Sequence, residues 1–231
     1  MRNIMVAAPA HDGANNVWHT CALVNTAKQA IMRDINIIPI YMSYDSLVQR
    51  ARNDIVKLAL QMEVDDLVFI DTDQDWEVDD FFKLIEHDVD VVGVPIRKKS
   101  DEETYNVKLL REYKVLENGL VDVDSVGTGM LRLTRKALLA VWNDSEEYLE
   151  QGKGMGRMVF SVEIVGGVLW SEDVVLCKKL NDNGIRVYID PTLNAAHSGH
   201  KRWIGDFDTW IGLVTTEPKP TLQEMKSMKE F

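Results

Sequence analysis

A chain of 231 residues, 45% of them hydrophobic, has room for one sizeable α/β domain rather than two small ones. A formal charge of −11, from 37 acidic and 26 basic side chains, excludes avid long-range attraction to duplex DNA or to an anionic membrane surface, though not a local basic patch. No apolar run approaches the ~20 residues of a membrane span. The N-terminus lacks a secretory pattern, and Cys21 and Cys177 have no metal-binding spacing, so a reducing, cytoplasmic setting is expected.

In chain order, residues 3–8 read as a short apolar strand stopping at Pro9, followed by a loop through His11, Asp12 and Gly13. From 17 to about 33, Cys21, Val24, Ala27 and Ile31 recur at helical spacing and predict a helix buried on that face. Isoleucine-rich 35–42 is a second strand. Asp45 or Ser46 then caps a helix to residue 63, with Leu47, Ala51, Ile55, Leu58 and Ala59 on its apolar face and Arg50, Asn53, Asp54 and Lys57 opposite. Residues 67–70, four apolar side chains in a row, form a strand buried on both faces. A helix over 78–87 and a strand over 89–94 follow. This alternation predicts a parallel sheet with right-handed crossovers.

After residue 94 the pattern changes. Residues 97–104 are polar, 107–116 alternate weakly, and Asn118-Gly119 signals a hairpin. Strands are expected over 121–126 and 129–133, and a helix over 135–142. Residues 143–157 are acidic, then glycine-rich, and 152–156 read as a mobile connection. A strand over 158–164, a helix over 171–183 ended by Gly184, and a last strand over 186–189 complete the series. From Ala195 the chain reads as a tail carrying His197, His200, Lys201 and Arg202, with Pro218 and Pro220 opening a polar C-terminal segment.

The chemistry concentrates where the third strand ends, in Asp71-Thr72-Asp73-Gln74-Asp75. In extended backbone, positions two apart point the same way, so Asp71 and Asp73 aim at one spot. Two like charges so close favour protonation of one unless a cation sits between them. A divalent ion, Mn²⁺ or Mg²⁺, suits hard oxygen ligands, and open α/β sheets bind ligands at this end of their strands. The competing reading is an acidic turn leading into a helix that Asp79 and Asp80 favour electrostatically. Glu172 and Asp173, opening a helix, are either caps or a general base. His197 is a surface or core histidine, or a third ligand beside a diacid site. Gly127-Thr128-Gly129 suits a tight loop where backbone approaches a sugar. Arg97-Lys98-Lys99, and Arg52 with Asn53, are solvated charge and polarity or a phosphate grip. Trp170 is a core aromatic or a stacking surface.

Taken in this order, from residue 3 to roughly 200, these landmarks resemble the GT-A glycosyltransferases, which use nucleotide-sugar donors. The chain also looks like compact glycosyltransferases encoded by bacteriophages, some of which act on modified bases in DNA. The resemblance implies a GT-A-like (Rossmann-like), mostly parallel central sheet flanked by helices, with a smaller acceptor-side hairpin region. It implies one catalytic domain over 1–205, its donor half about 1–95 and its acceptor half about 96–205, followed by a tail over 206–231. It further implies Mn²⁺ or Mg²⁺ on Asp71, Asp73 and His197, and a UDP- or GDP-linked sugar contacted by Pro9, His11, Asp12, Arg52, Asn53 and Asp71. Asp173 or Glu172 would be the base, and Arg97, Gly127, Gly129 and Trp170 would face the acceptor, a glycan or a modified nucleic-acid base. Asp75 has no fixed role in that pattern. The loop after the first strand and residues 97–124 match no subfamily, which leaves sugar, acceptor and stereochemistry open. A nucleotidyltransferase of related fold and a non-catalytic nucleotide-sugar-binding module are the alternatives. A phage-encoded enzyme of this kind would work in the host cytoplasm.

Overall fold

The first strand, β1 (Arg2–Ala10), is buried from Ile4 to Ala8 and is the scaffold for the acidic turn. In the computed structural model, which describes residues 1–212, it is followed by α1 (Val17–Met32), β2 (Ile35–Ser43), α2 (Val48–Gln61), β3 (Asp66–Ile70), β4 (Gln74–Trp76), α3 (Val78–Glu86) and β5 (Val91–Gly93). The second half holds β6 (Val107–Leu109), β7 (Val121–Val126), β8 (Met130–Thr134), α4 (Arg135–Asp144), β9 (Glu147–Glu150), β10 (Gly154–Arg157), β11 (Glu163–Val165) and β12 (Val168–Trp170). Then come α5 (Glu172–Asp182), β13 (Tyr188–Ile189), β14 (Ala195–Ser198), β15 (Arg202–Trp203) and α6 (Phe207–Ile211). Pro218 and Pro220 lie outside the described residues.

The central sheet has the order β2-β1-β3-β8-β5-β13-β7-β6. β1 is parallel to both β2 and β3, β8 lies antiparallel between β3 and β5, and β13 is parallel to β5. β7 opposes β13, and β6 opposes β7. So β2, β1, β3, β5, β13 and β6 point one way while β8 and β7 run against them, as a mostly parallel α/β sheet with an inserted reverse strand. The chain leaves β1 for β2 on one side and returns to β3 on the other, which makes the carboxyl ends of β1 and β3 the switch point where such sheets bind ligands. β1 pairs with β2 up to Ala10 and with β3 only up to Ala7, so the strands part where Pro9, which offers no N–H, begins the exit.

Alternate side chains of β1 and β3 feed two cores. Met5, Ala7, Leu67 and Phe69 pack towards α2 and α4, whereas Ile4, Val6, Val68 and Ile70 pack with residues of α1 and α3. The expected face of α1 is wrong. His19, Ala22, Thr26 and Ala30 are buried, while Cys21 is exposed and Ile31 is 76% exposed. Small side chains let the helix lie close to the sheet, and its two polar members are satisfied: Trp76 Nε1 donates to Thr26 at 3.0 Å and His19 bonds Gln74 and Tyr41. The expected start of α2 also shifts. Asp45 spends its carboxylate on the Leu47 N–H and on Arg50 in the turn before the helix, Leu47 is half-exposed, and Asn53 is buried.

The expected strand over 158–164 does not form: residues 158–162 are irregular, between two hairpins, β9–β10 and β11–β12. The first absorbs the glycine-rich stretch and is tied to α2 by Lys153 on Asp54 at 2.5 Å. The second turns on Gly166 and Gly167, both at positive φ. The Asn118-Gly119 turn forms as expected, Gly119 at φ 83°. Nor is 186–189 the last strand. β14 runs antiparallel to β4, with His197 opposite Gln74, and β15 pairs with β14. Phe207, in α6, is buried in the main core with Tyr105 edge-on at 5.0 Å, so the described residues after 205 pack onto the domain. No helix among the described residues is long and apolar enough to cross a membrane.

Candidate active site

The acidic stretch is a tight turn rather than extended backbone, because the Gln74 N–H donates to the Asp71 carbonyl at 2.9 Å. Three elements pin it. The Asp71 N–H donates to Gly129 O (3.0 Å), the Asn16 N–H to Thr72 O (3.0 Å) and the Ser198 N–H to Asp73 O (2.8 Å). Asn16 also caps α1 through its Oδ1 on the Trp18 N–H. Asn16→Ala is expected to lower stability by ~1 kcal/mol in urea unfolding, the usual cost of a lost N-cap.

Beneath the turn, fully buried His19 donates from Nδ1 to Gln74 O at 3.0 Å and accepts at Nε2 from the Tyr41 hydroxyl at 2.7 Å. Burial lowers the His19 pKa and raises that of Tyr41 to about 12. The folded state therefore refuses a proton that the unfolded chain accepts near its ordinary pKa of 6.5, so stability is full above that pH and falls below it. Denaturant midpoints at pH 7.5 and 5.5 should differ less in His19→Gln than in the parent.

The turn sends its carboxylates to different cations. Asp71 accepts from Arg52 Nη2 at 3.0 Å, and Arg52, 5% exposed, also pairs through Nη1 with Glu172 at the start of α5. Asp73 accepts from Lys99 Nζ at 2.5 Å, with His197 Nε2 at 3.4 Å from the same oxygen. Burial would raise the Asp73 pKa, but the adjoining His197 imidazole and Lys99 ammonium outweigh it and hold it at about 2. Asp173, in the first turn of α5, accepts from the Val174 N–H at 2.8 Å and from the Ser171 hydroxyl, both uncharged donors.

Arg52, Asp71 and Asp73 form a wall common to two clefts. On one side, a hollow of about 350 Å³ is bounded by Pro9, His11, Asp12, Ser46 and Thr72. On the other, a hollow of about 220 Å³ is bounded by Arg97, Gly127, Gly129, Glu172, Asp173 and His197. The structure thus gathers nearly all the residues singled out from the sequence around one acidic partition. Three stand apart. Asn53 uses both ends of its amide on the Phe160 backbone and faces a separate apolar hollow with Tyr148 and Met158. Trp170 ends β12 outside both clefts, with Lys108 Nζ 5.8 Å from its ring. Asp75 is buried in an ion pair with Arg202, on a different surface beside Trp76. Sequence reasoning missed His19, whose signal was the Ala22 and Ala30 spacing, and Asn106, which closes the Gly127 loop. A Cβ on Gly127 would lie 2.4 Å from Asn106 Nδ2, so this glycine is dictated by packing.

Asp71, Asp73 and His197 do not converge as a three-ligand set, and no such cluster of three or more His, Cys, Asp or Glu side chains exists among the described residues. The reason is Arg52, which draws Asp71 away. The smaller pair does fit a hard divalent ion. His197 Nδ1 donates to Arg97 O at 2.9 Å, which leaves Nε2 directed at Asp73. One carboxylate and one imidazole suffice for Mn²⁺ or Mg²⁺ when water and phosphate oxygens supply the remaining ligands.

No protein-family model matches the chain, and no curated protein matches it. Among solved structures, the protein A197 from STIV superposes over 90% of this chain and 91% of its own, at 21% identity and a TM-score of 0.54. The two chains share one α/β fold. A β1,4-galactosyltransferase 7 of Drosophila, solved with xylobiose, matches at 10% identity and a TM-score of 0.49 over 98% of this chain and 80% of its own. An inositol-1-phosphate CTP transferase from T. maritima matches at 11% identity and 0.43, covering 82% and 85%. At 21% identity the likeness to A197 extends to the fold alone.

Proposed function

We propose that this chain is a metal-dependent glycosyltransferase that moves a sugar from a UDP- or GDP-linked donor to an acceptor hydroxyl. The observation that carries the reading is the acidic partition between two clefts at the switch point of the sheet. Group transfer from an activated sugar needs a pocket for the leaving diphosphate and, across the anomeric carbon, a base for the incoming hydroxyl.

In this reading the nucleotide occupies the cleft of Pro9, His11 and Asp12, with Arg52 and Asp71 at its inner wall. Asp73 and His197 hold the ion, which when bound neutralises charge developing on the departing diphosphate. The acceptor enters beside Gly127 and Gly129, with Arg97 at the rim. Asp173 is the stronger candidate for the base, because the Glu172 carboxylate is already engaged by Arg52. As the acceptor oxygen forms its bond to the anomeric carbon, its proton passes to Asp173 and the glycosyl–phosphate bond breaks. The acceptor is a glycan or a modified nucleic-acid base. A phage-type enzyme of this kind would meet it in a host cytoplasm.

A panel of UDP- and GDP-sugars, scored with Mn²⁺ for thermal stabilisation and donor hydrolysis, tests the assignment. Stabilisation and hydrolysis by one donor are expected. Pyrophosphate release from a nucleoside triphosphate, with no response to any nucleotide sugar, would replace it with a nucleotidyltransferase. Donor binding without turnover on any acceptor would make it a binding module. Asp173→Asn should retain donor binding while transfer falls about 10²- to 10⁴-fold, the usual range for general-base loss.

A further inference from the structure

We infer that Lys99 is an exchangeable counter-cation, which holds Asp73 while no divalent ion is bound and passes to the diphosphate when ion and donor arrive together. The inference rests on the proposed reading of Asp73 and His197 as the ion-holding pair. Lys99 Nζ lies 2.5 Å from the Asp73 Oδ2 that also faces His197 Nε2 at 3.4 Å. The ammonium therefore sits against the oxygen that an ion shared with His197 must take. Adding a dication with Lys99 in place would crowd three positive charges around one carboxylate, since Asp71 is committed to Arg52. The combination becomes favourable when Lys99 withdraws or when a polyanion enters beside it.

The loop is built for that exchange. Its base is fixed: Arg97 bridges Tyr105, the Lys98 N–H donates to Thr104 O at 2.8 Å, and Arg97 Nη1 donates to Ile204 O at 2.8 Å. The Lys99 side chain is 35% exposed and its ammonium is held by Asp73, so rotation about its own stem releases it without moving the loop. Asp73 belongs to the wall of both clefts, so an ammonium released from it stays within reach of a diphosphate bound against that wall. The consequence is coupled binding: the ion binds weakly alone and more tightly with a diphosphate.

Calorimetric titration of the full chain with manganese(II) chloride, alone and with inorganic pyrophosphate, tests this without any turnover assay. Lys99→Gln should bind Mn²⁺ alone about fivefold more tightly than the parent, a modest gain because the ion pair is partly exposed and screened. Lys99→Arg should resemble the parent. Pyrophosphate should raise Mn²⁺ affinity more in the parent than in Lys99→Gln. Equal Mn²⁺ affinity in parent and Lys99→Gln, with binding lost in Asp73→Asn, would overturn the exchange and leave the site assignment standing. Undiminished binding in Asp73→Asn would instead remove the site assignment itself. No detectable binding to either the parent or Lys99→Gln would overturn the exchange as well.

Discussion

Asp73→Asn is expected to fold normally and to lose donor turnover by about 10²- to 10³-fold, the loss typical when one preorganised electrostatic contact to a leaving group is removed. The fold should tolerate the change because Asp73 is 38% exposed and its ion pair with Lys99 is itself partly solvated, so its net contribution to stability is small. Its backbone carbonyl, which accepts from the Ser198 N–H, is untouched, so the turn stays pinned to β14. The amide keeps the shape of the carboxylate and removes its charge, so the loss isolates the grip on the ion. Rates of donor hydrolysis in Mn²⁺, set beside thermal melts, check both halves. Undiminished turnover in a folded variant would sink the assignment.

The largest loss of stability should follow Arg132→Met. Arg132, on β8, donates Nε to Asp66 Oδ1 at 2.9 Å and Nη1 to the carbonyls of His87 and Val89, each at 2.9 Å. Both members of the pair are almost wholly buried. Methionine approximates the length of the side chain but leaves two carbonyls without this donor and Asp66 with Arg2 as its remaining cation, itself a third exposed. Breaking one side of a buried pair costs about 3–5 kcal/mol, which at 2–4 °C per kcal/mol for a chain of this size lowers Tm by roughly 10 °C. Adding Asp66→Asn should recover part of that loss, because the orphaned charge is the main penalty. A drop below about 1 kcal/mol in urea unfolding would show that Arg2 alone satisfies Asp66.

What the sequence made legible was local. The apolar run ahead of Asp71, the isoleucine strand, the Asn118-Gly119 turn and the Gly184 stop depend on neighbours in the chain, and each appears where its pattern lies. The face of α1 was not legible, since two stripes of that helix carry apolar side chains. The choice was made by Gln74, Tyr41 and Trp76, none of them in the helix. Likewise the position of His197 depends on β14 finding β4 across more than a hundred residues. Asp71 and Asp73 do line one site, yet through a turn and not through the alternation of an extended strand. The glycine pair at 166–167 carries a turn signal of its own, and the hairpin it closes runs beyond the strand expected over 158–164.

The reverse strand β8 has a bearing on how the molecule is made. β3 and β5 flank β8 and meet no partner on that side until residues 130–134 have left the ribosome. During synthesis the nascent first half therefore carries an unpaired, largely apolar strand flank of the kind that recruits other chains. Fragments ending near residue 95 should aggregate when expressed, whereas those extending past β8 should yield far more protein in the supernatant.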